Sequence, residues 1–288
     1  MAAKANSWTA RRVLAYAHQG GAWEAPSSTL FAVRRALELG ATGIELDVHA
    51  TADGHLVVCH DGTVDRTTNA SGAIASLSLA ELRALDNAYW FAPGADVSPG
   101  LADDAYPYRG RAPEDADFSF ATLAEVLDLM EGYPDVALNL DIKATAPAVE
   151  PYEERLARQL LERDRTDRVI VASFLDVATE TFSVHAPGIA TSAGTITTAM
   201  FWRAVHEGAD PPAMRHVALQ VPAHQGDLVV VDDGFVAAAH AMDVAVHVWT
   251  INDEAEMGRL VDLGVDGVIT DLPSTLLHVL ALKGAGVR

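Results

Sequence analysis

This sequence is short of cysteine, of positive charge and of long apolar runs, and each shortage excludes something. Cys59 is the single cysteine among 288 residues, so no internal disulfide braces the fold, and a reduced, cytoplasmic setting is the expectation. Lysine and arginine number 20 against 40 aspartates and glutamates, a formal net charge of -20. A surface that acidic repels nucleic acid and anionic membrane surfaces, so neither is expected as a partner. No stretch approaches the roughly 18 uncharged apolar residues of a spanning helix, so no stable membrane insertion is expected. Met1 to Ala17 carries basic residues without the apolar run of a signal peptide. What the chain does have is hydrophobic residues, 50% of the total, enough for a sizeable core in one large α/β domain or two small ones. Disorder, collagen and coiled coil are excluded.

Short β-branched runs alternate with helical patterns from end to end without a low-complexity linker, which predicts βα units around one parallel sheet. Nine runs read as strands: Val13–Ala17, Gly43–Val48, His55–Cys59, Val136–Ile142, Val169–Ser173, Ile189–Ala193, His216–Val221, Ala245–Thr250 and Asp266–Thr270. The run His55–Cys59 follows its predecessor too closely for a parallel crossover, which needs about a dozen residues. Asp53-Gly54 between them is a hairpin signal, so 43–59 reads as a hairpin. Ser78-Leu79-Ala80-Glu81 and Thr122-Leu123-Ala124-Glu125 are capping-box patterns ahead of helical leucines. Leu30, Val33 and Leu37 share a helix face that Gly40 closes, and Met257, Leu260 and Val261 do the same before Gly264. Without the hairpin's return arm eight parallel strands remain, the count of an α/β fold of the (β/α)8 TIM barrel type, a single domain over 1–288 whose chemistry sits at the C-terminal strand ends. Ala88–Phe118 breaks the rhythm as an inserted loop segment rich in Pro, Gly, Asp and aromatics (Tyr89, Trp90, Phe91, Tyr106, Tyr108). It is far longer than the usual connection of about 2–6 residues, and it reads as a cover over the site.

Polar residues end or interrupt otherwise apolar strands at His18, Glu45 with Asp47, His60, and Asp141 with Lys143. Glu45 and Asp47 are two apart and project from one strand face. Two such acids either line a hydrated, solvent-facing edge or surround a cation or a shared proton. The hairpin favours the second reading: with Asp53-Gly54 as a two-residue turn, position 60 lies opposite position 47, which sets His60 beside Asp47 on the face of Glu45. Asp141 arrives from the next parallel strand. Three oxygen ligands with no cysteine favour one hard divalent cation, Mg2+ or Ca2+, over structural zinc, and leave the two histidines for proton transfer. His49, His55, His185, His206, His216, His224, His240 and His278 show no partner pattern and read as surface or structural residues. His247 reads as a core histidine, and Cys59 as a buried thiol.

These residues stand within an ordered series of blocks: Ala17-His18-Gln19-Gly20, Gly43 to Val48, Thr51 to Gly54, Val57 to Asp61, Arg66-Thr67-Thr68, Leu140-Asp141-Ile142-Lys143, Val248 to Asn252 and Gly264 to Asp271. The series resembles the glycerophosphodiester phosphodiesterases over nearly the whole chain. The resemblance implies a (β/α)8 barrel with an insertion where Ala88–Phe118 stands. It implies one divalent metal at Glu45, Asp47 and Asp141, and His18 and His60 as acid and base. It also implies Lys143 close to the phosphate, with Gln19 and Trp249 as further substrate-binding candidates. Three positions depart from the pattern: Gln19 replaces the usual Arg, Ser27-Ser28 the usual Glu-Asn, and Asp141 the usual Glu. Gln19 removes a permanent cation and a bidentate phosphate fork while keeping amide donors.

The activity expected from all this is hydrolysis of a small-molecule glycerophosphodiester to glycerol phosphate and an alcohol. The attacking oxygen is either water or a hydroxyl of the substrate's own glycerol, which gives a cyclic phosphate first. Two other readings compete: a lysophospholipase D-like activity on lysophospholipids, which the aromatic insertion suits, and a non-catalytic barrel that binds a phosphorylated ligand, which Gln19 and Ser27-Ser28 suit.

Overall fold

The computed structural model describes residues 6–9, 12–95, 97–143 and 152–285. Of the stretch Met1–Ala17 read above for a leader, residues 1–5, 10 and 11 lie outside them, as does position 96 of the long segment. A short 3-10 turn at Ser7–Thr9 precedes β1 (Leu14–His18), α1 (Leu30–Leu39), β2 (Gly43–Ala50), β3 (Leu56–Val58), α2 (Leu79–Arg83), α3 (Leu123–Met130), β4 (Ala137–Ile142) and α4 (Glu153–Glu162). There follow β5 (Val169–Ala172), α5 (Asp176–His185), β6 (Ala190–Ala193), α6 (Thr195–Glu207), β7 (Ala218–Pro222) and a small ribbon, β8 (His224–Gln225) with β9 (Leu228–Val229). The chain continues through α7 (Asp233–Ala241), β10 (Ala245–Trp249), α8 (Glu254–Leu263), β11 (Gly267–Thr270) and α9 (Pro273–Leu282).

Eight strands run parallel in the order β1-β11-β10-β7-β6-β5-β4-β2, and the pairing of β1 with β2 closes them into a barrel. The fold is the expected (β/α)8 barrel. Its outer wall packs strand residues such as Ile44, Leu46 and Val48 against helix residues such as Val33 and Leu37. Inside, one layer holds Tyr16, Ile170 and Ile269 among the small Ala137, Ala218 and Ala245, with Trp8 packed onto the same cluster. Large beside small is how a closed barrel fills its axis. Gly43 is one such small position, because a Cβ there would stand 2.3 Å from the Tyr16 ring.

The helix signals are realised atom by atom. The Ser78 and Thr122 side chains cap the backbone N–H groups of Glu81 and Glu125, and both glutamates reach back to the cap residue. Gly40 and Gly264 close α1 and α8 in the left-handed conformation. The ribbon of β8 and β9 carries no such signal, since four residues in two short pieces show no period to read.

The hairpin forms, but its register is one residue off the expectation. Val48 faces Val58 and Ala50 faces Leu56, so the residue opposite Asp47 is Cys59, whose N–H donates to the Asp47 carbonyl at 3.0 Å. The reason is the turn: Thr51 N–H bonds the His55 carbonyl around a three-residue loop, and Gly54 takes the left-handed conformation (φ 82) that such a loop needs. His60 therefore reaches the barrel mouth from the bend after β3, not from a paired strand position.

The long segment from Ala88 to Phe118 is ordered by its aromatics. Phe118 stacks on Phe31 at 4.8 Å and on Tyr108 at 5.1 Å between ring centroids. The Arg109 guanidinium lies over the rings of Tyr106 (3.6 Å) and Tyr89 (4.4 Å), and Trp90 Nε1 donates to the Thr68 carbonyl at 2.7 Å. These contacts tie the segment to α1 and to the loop after β3 as a satellite core. Truncating its centre should be felt in stability: Phe118→Ala is expected to lose about 3–5 kcal/mol, the usual cost of deleting a buried Phe ring. In urea unfolding the midpoint should fall with little change of slope. An unchanged midpoint would mean the segment does not fold with the barrel.

Candidate active site

Strand register decides which side chains meet at the C-terminal end of the barrel. His18 stands beside Glu45 across the closing β1–β2 pair, and Asp47 beside Asp141 across β2 and β4. Residues opposite each other in a parallel pair point to one face. The four side chains therefore rise into one cavity of about 430 Å³, which His60, Lys143 and Trp249 also line. Of the residues expected in the site, Gln19 alone is off the lining. It is buried beside His18, its amide nitrogen 3.2 Å from His18 Nε2 and its carbonyl 3.4 Å from Arg66 Nη2.

Three carboxylates at this depth need compensation. Lys143 Nζ lies 2.9 Å from Asp47 Oδ1 and 2.8 Å from Asp141 Oδ2. Burial alone would lower its pKa, but the two acids hold the ammonium protonated well above the usual lysine range. Glu45 is driven up from the ordinary carboxylate range by burial and by the neighbouring Asp47 charge. Asp141 is likewise raised by burial, with Lys143 pulling against it.

Among the described residues, no three His, Cys, Asp or Glu side chains are gathered closely enough to hold a metal ion as they stand. The Lys143 ammonium fills the space between Asp47 and Asp141. The donor chemistry nevertheless suits a hard cation: Asp47 Oδ2 and Asp141 Oδ1 are buried oxygens with no hydrogen-bond partner. Glu45, Asp47 and Asp141 are the side chains that would hold it.

The two histidines face each other edge to face, with ring centroids 6.0 Å apart. Each is backed by a carboxylate. His18 Nδ1 is 2.6 Å from Asp271 Oδ1, and Asn252 holds the second Asp271 oxygen at 2.7 Å while accepting the Asp271 N–H. His60 Nδ1 is 2.7 Å from Asp61 Oδ1, and Arg66 binds the other Asp61 oxygen. The bond from His60, with Arg66 beside it, holds the Asp61 carboxyl down at about 2, against the opposing effect of burial. For His18, burial pushes the pKa down, but the hydrogen bond to Asp271 and the charges of Glu45, Asp271 and Asp47 outweigh it and raise it to about 9. In both rings a carboxylate holds Nδ1, and His18 Nε2 has the Gln19 amide at 3.2 Å and Glu45 Oε2 at 3.7 Å.

Asp61, Arg66, Asn252 and Asp271 were absent from the expected site although each lies in one of the quoted blocks. The adjacency of Asp61 to His60 was a usable signal. So was Asp271 just after the last strand, a position equivalent to that of His18. Other histidines are structural: His247 is fully buried against Tyr16 with its pKa pushed down by burial to about 3, and His49 is buried with its pKa lowered for the same reason. The expected cover is corrected: no described residue of Ala88–Phe118 lines the cavity, whose far wall comes instead from the ends of β5, β6 and β7, from α6 and from the β8–β9 ribbon. The insertion spends its aromatics on its own packing.

Residues 18–275 match the sequence profile of the glycerophosphoryl diester phosphodiesterase family. The chain is 32% identical over 280 residues to a glycerophosphodiester phosphodiesterase of Caldanaerobacter subterraneus subsp. tengcongensis, covering 95% of this chain and 100% of the relative. It is 27% identical over 282 residues to one of Bacillus subtilis, covering 96% and 89%. In structure it is similar to the glycerophosphoryl diester phosphodiesterase domain of a Mycobacterium tuberculosis protein, with TM-score 0.77, 20% identity, and 94% and 99% of the two chains covered. It is also similar to an Oleispira antarctica phosphodiesterase solved with the product sn-glycerol-3-phosphate, with TM-score 0.69, 24% identity, and 94% and 97% covered.

The raised carboxylates give the site a pH signature. A carboxylate whose folded pKa exceeds its unfolded value near 4 contributes stability at low pH that is lost as pH rises through the folded value. Cation-free protein should therefore lose stability from about pH 5 toward pH 8 as Asp141 and then Glu45 ionise. A divalent cation bound there opposes that loss, so its rise in Tm should be larger at pH 8 than at pH 5, and Glu45→Gln should flatten the difference. Scanning calorimetry with chelator and then with Mg2+ or Ca2+ reads this directly. An equal shift at both pH values would remove the carboxylates as the binding groups.

Proposed function

The chain belongs to the glycerophosphoryl diester phosphodiesterase family and is a phosphoric diester hydrolase; we propose that it hydrolyses glycerophosphodiesters to glycerol phosphate and an alcohol, with His18 as general acid and His60 as general base. The observation that carries this reading is the pair of carboxylate-backed imidazoles facing each other in one cavity with Lys143 and three buried acids. A relative solved with sn-glycerol-3-phosphate supports the substrate class.

In-line displacement at phosphorus needs a proton removed from the attacking oxygen and one delivered to the leaving alcohol. His18 is suited to deliver it, because Asp271, Glu45 and Asp47 keep its ring charged to about pH 9. His60, oriented by Asp61, is suited to receive the other proton from water or from the substrate's own hydroxyl. Lys143 brings positive potential to the phosphoryl oxygens in a protein of net charge -20. A divalent cation held by Glu45, Asp47 and Asp141 would supply Lewis-acid charge withdrawal at the phosphate. The Gln19 amide lies beside His18 Nε2 at 3.2 Å, and Trp249 lines the cavity wall that a substrate would meet.

His18→Ala and His60→Ala should each lose roughly 10²–10⁴-fold in kcat/KM, with the double variant little worse than the singles. A nitrophenyl diester, whose leaving group needs no proton, should restore rate to His18→Ala and not to His60→Ala; equal rescue of both would end the division of roles. The rate should be bell-shaped in pH, and Asp271→Asn, which takes a carboxylate from His18, should move the alkaline limb down. Chelator should abolish turnover and added Mg2+, Ca2+ or Mn2+ restore it, and full activity in excess chelator would remove the cation from the scheme.

A further inference from the structure

Lys143 stands between two tasks that one ammonium cannot perform together. Its Nζ lies 2.9 Å from Asp47 Oδ1 and 2.8 Å from Asp141 Oδ2, so two of its three N–H donors are committed to carboxylates. Those are two of the three acids that would hold a divalent cation, and in the proposed hydrolysis Lys143 also meets the phosphoryl oxygens. A divalent cation on the same two acids stands within about 4–5 Å of an ammonium seated between them, and like charges that close repel strongly away from bulk water.

The ammonium has a second place to go. Nζ is 5.4 Å from the centre of the Phe174 ring, inside the roughly 6 Å reach of a cation–π contact. Phe174 stands edge-on to Trp249, and both rings line the same cavity as Lys143. The Lys143 backbone is pinned, because its carbonyl bonds the Tyr152 hydroxyl, which also reaches the Val48 carbonyl at 3.0 Å. What can move is the flexible four-carbon stem of a side chain that is 19% exposed.

We propose that Lys143 is an internal counter-ion which a divalent cation displaces, and that displacement turns its ammonium toward the Phe174 ring and the phosphate. Cation and phosphate binding are then coupled through one side chain. Without the cation the ammonium is spent on Asp47 and Asp141; with it the ammonium is released for the phosphoryl oxygens. The proposal rests on Glu45, Asp47 and Asp141 as the cation's ligands. The alternative seats the cation only on the unpartnered Asp47 Oδ2 and Asp141 Oδ1 and leaves the lysine bridge intact.

Amine reactivity reads the displacement in the unaltered protein. The sequence holds three lysines, Lys4, Lys143 and Lys283, so reductive methylation followed by peptide mapping resolves each. Lys143 should be methylated slowly in chelator and severalfold faster with saturating Mg2+, Ca2+ or Mn2+. Lys283, paired with Asp262 on the surface, serves as the reference. An equal Lys143 rate with and without cation would mean an intact bridge and overturn the proposal.

Calorimetric titration of the same cations gives a second reading. Lys143→Met, which removes the competitor, should bind the cation roughly tenfold tighter, a common size for coupled sites. Lys143→Arg keeps a permanent charge and a fork that matches carboxylates, so it should bind the cation more weakly than the parent. Unchanged affinity in both variants would overturn the proposal. With inorganic phosphate as the probe, Lys143→Met should cost more affinity in cation-loaded protein than in chelator, and an equal loss in both would overturn it too. If none of the three cations binds, the cation reading falls and the proposal with it, whereas cation binding beside an unreactive Lys143 defeats the proposal alone. Turnover of glycerophosphocholine reads the hydrolase assignment separately.

Discussion

Three buried carboxylates and one ammonium share the C-terminal end of the barrel, and the rest of the site is arranged around that charge problem. Like charges at short range in a poorly solvated place raise each other's pKa and cannot all stay ionised without a counter-charge. Lys143 supplies part of it by bridging Asp47 and Asp141. The buried, unpartnered oxygens Asp47 Oδ2 and Asp141 Oδ1 show that the compensation is incomplete. His18, 3.7 Å from Glu45, is drawn into the same field and held protonated by it. The proposed acid–base chemistry and the charge compensation thus draw on one arrangement.

That arrangement is made possible by closure. Only when β1 pairs with β2 does His18 stand beside Glu45, and only the β2–β4 register sets Asp47 beside Asp141. Closure in turn depends on packing at the far end of the axis, where Tyr16 fits because Gly43 and the alanines of neighbouring strands leave it room. Around this rigid frame the loops divide the work. Those after β3, β10 and β11 hold the histidines at Nδ1 through Asp61, Asn252 and Asp271, while the ends of β5 to β7 and α6 form the facing wall.

Much of this was legible before any coordinates. The eight barrel strands lie within two residues of the runs read from β-branched periodicity, because a strand buried on both faces must be apolar throughout. The polar interruptions at His18, Glu45, Asp47, Asp141 and Lys143 marked the active end for the same reason, as polar groups survive in such strands only where they have partners. The hairpin at 43–59 was legible in kind but not in register, since Asp-Gly serves both a two-residue and a three-residue loop and the choice depends on Thr51 bonding His55. The insertion was visible in its length and aromatics, yet its place was not, because stacking on Phe31 is a long-range contact that leaves no periodic trace.

What the sequence by itself determined is the local chemistry: the strand and helix periods, the caps, and the ordered blocks that carry two histidines, three acids and a lysine. Period and capping act over a few residues, so they can be read along the chain. Only the tertiary structure decided which groups meet. It placed Asp271 behind His18, some 250 positions away in the chain, at 2.6 Å. It set the Gln19 amide beside His18 Nε2 and completed the cavity wall with residues scattered over β5 to β10. Such meetings depend on the closure of the barrel, and closure is a property of all eight strands together that no one segment encodes.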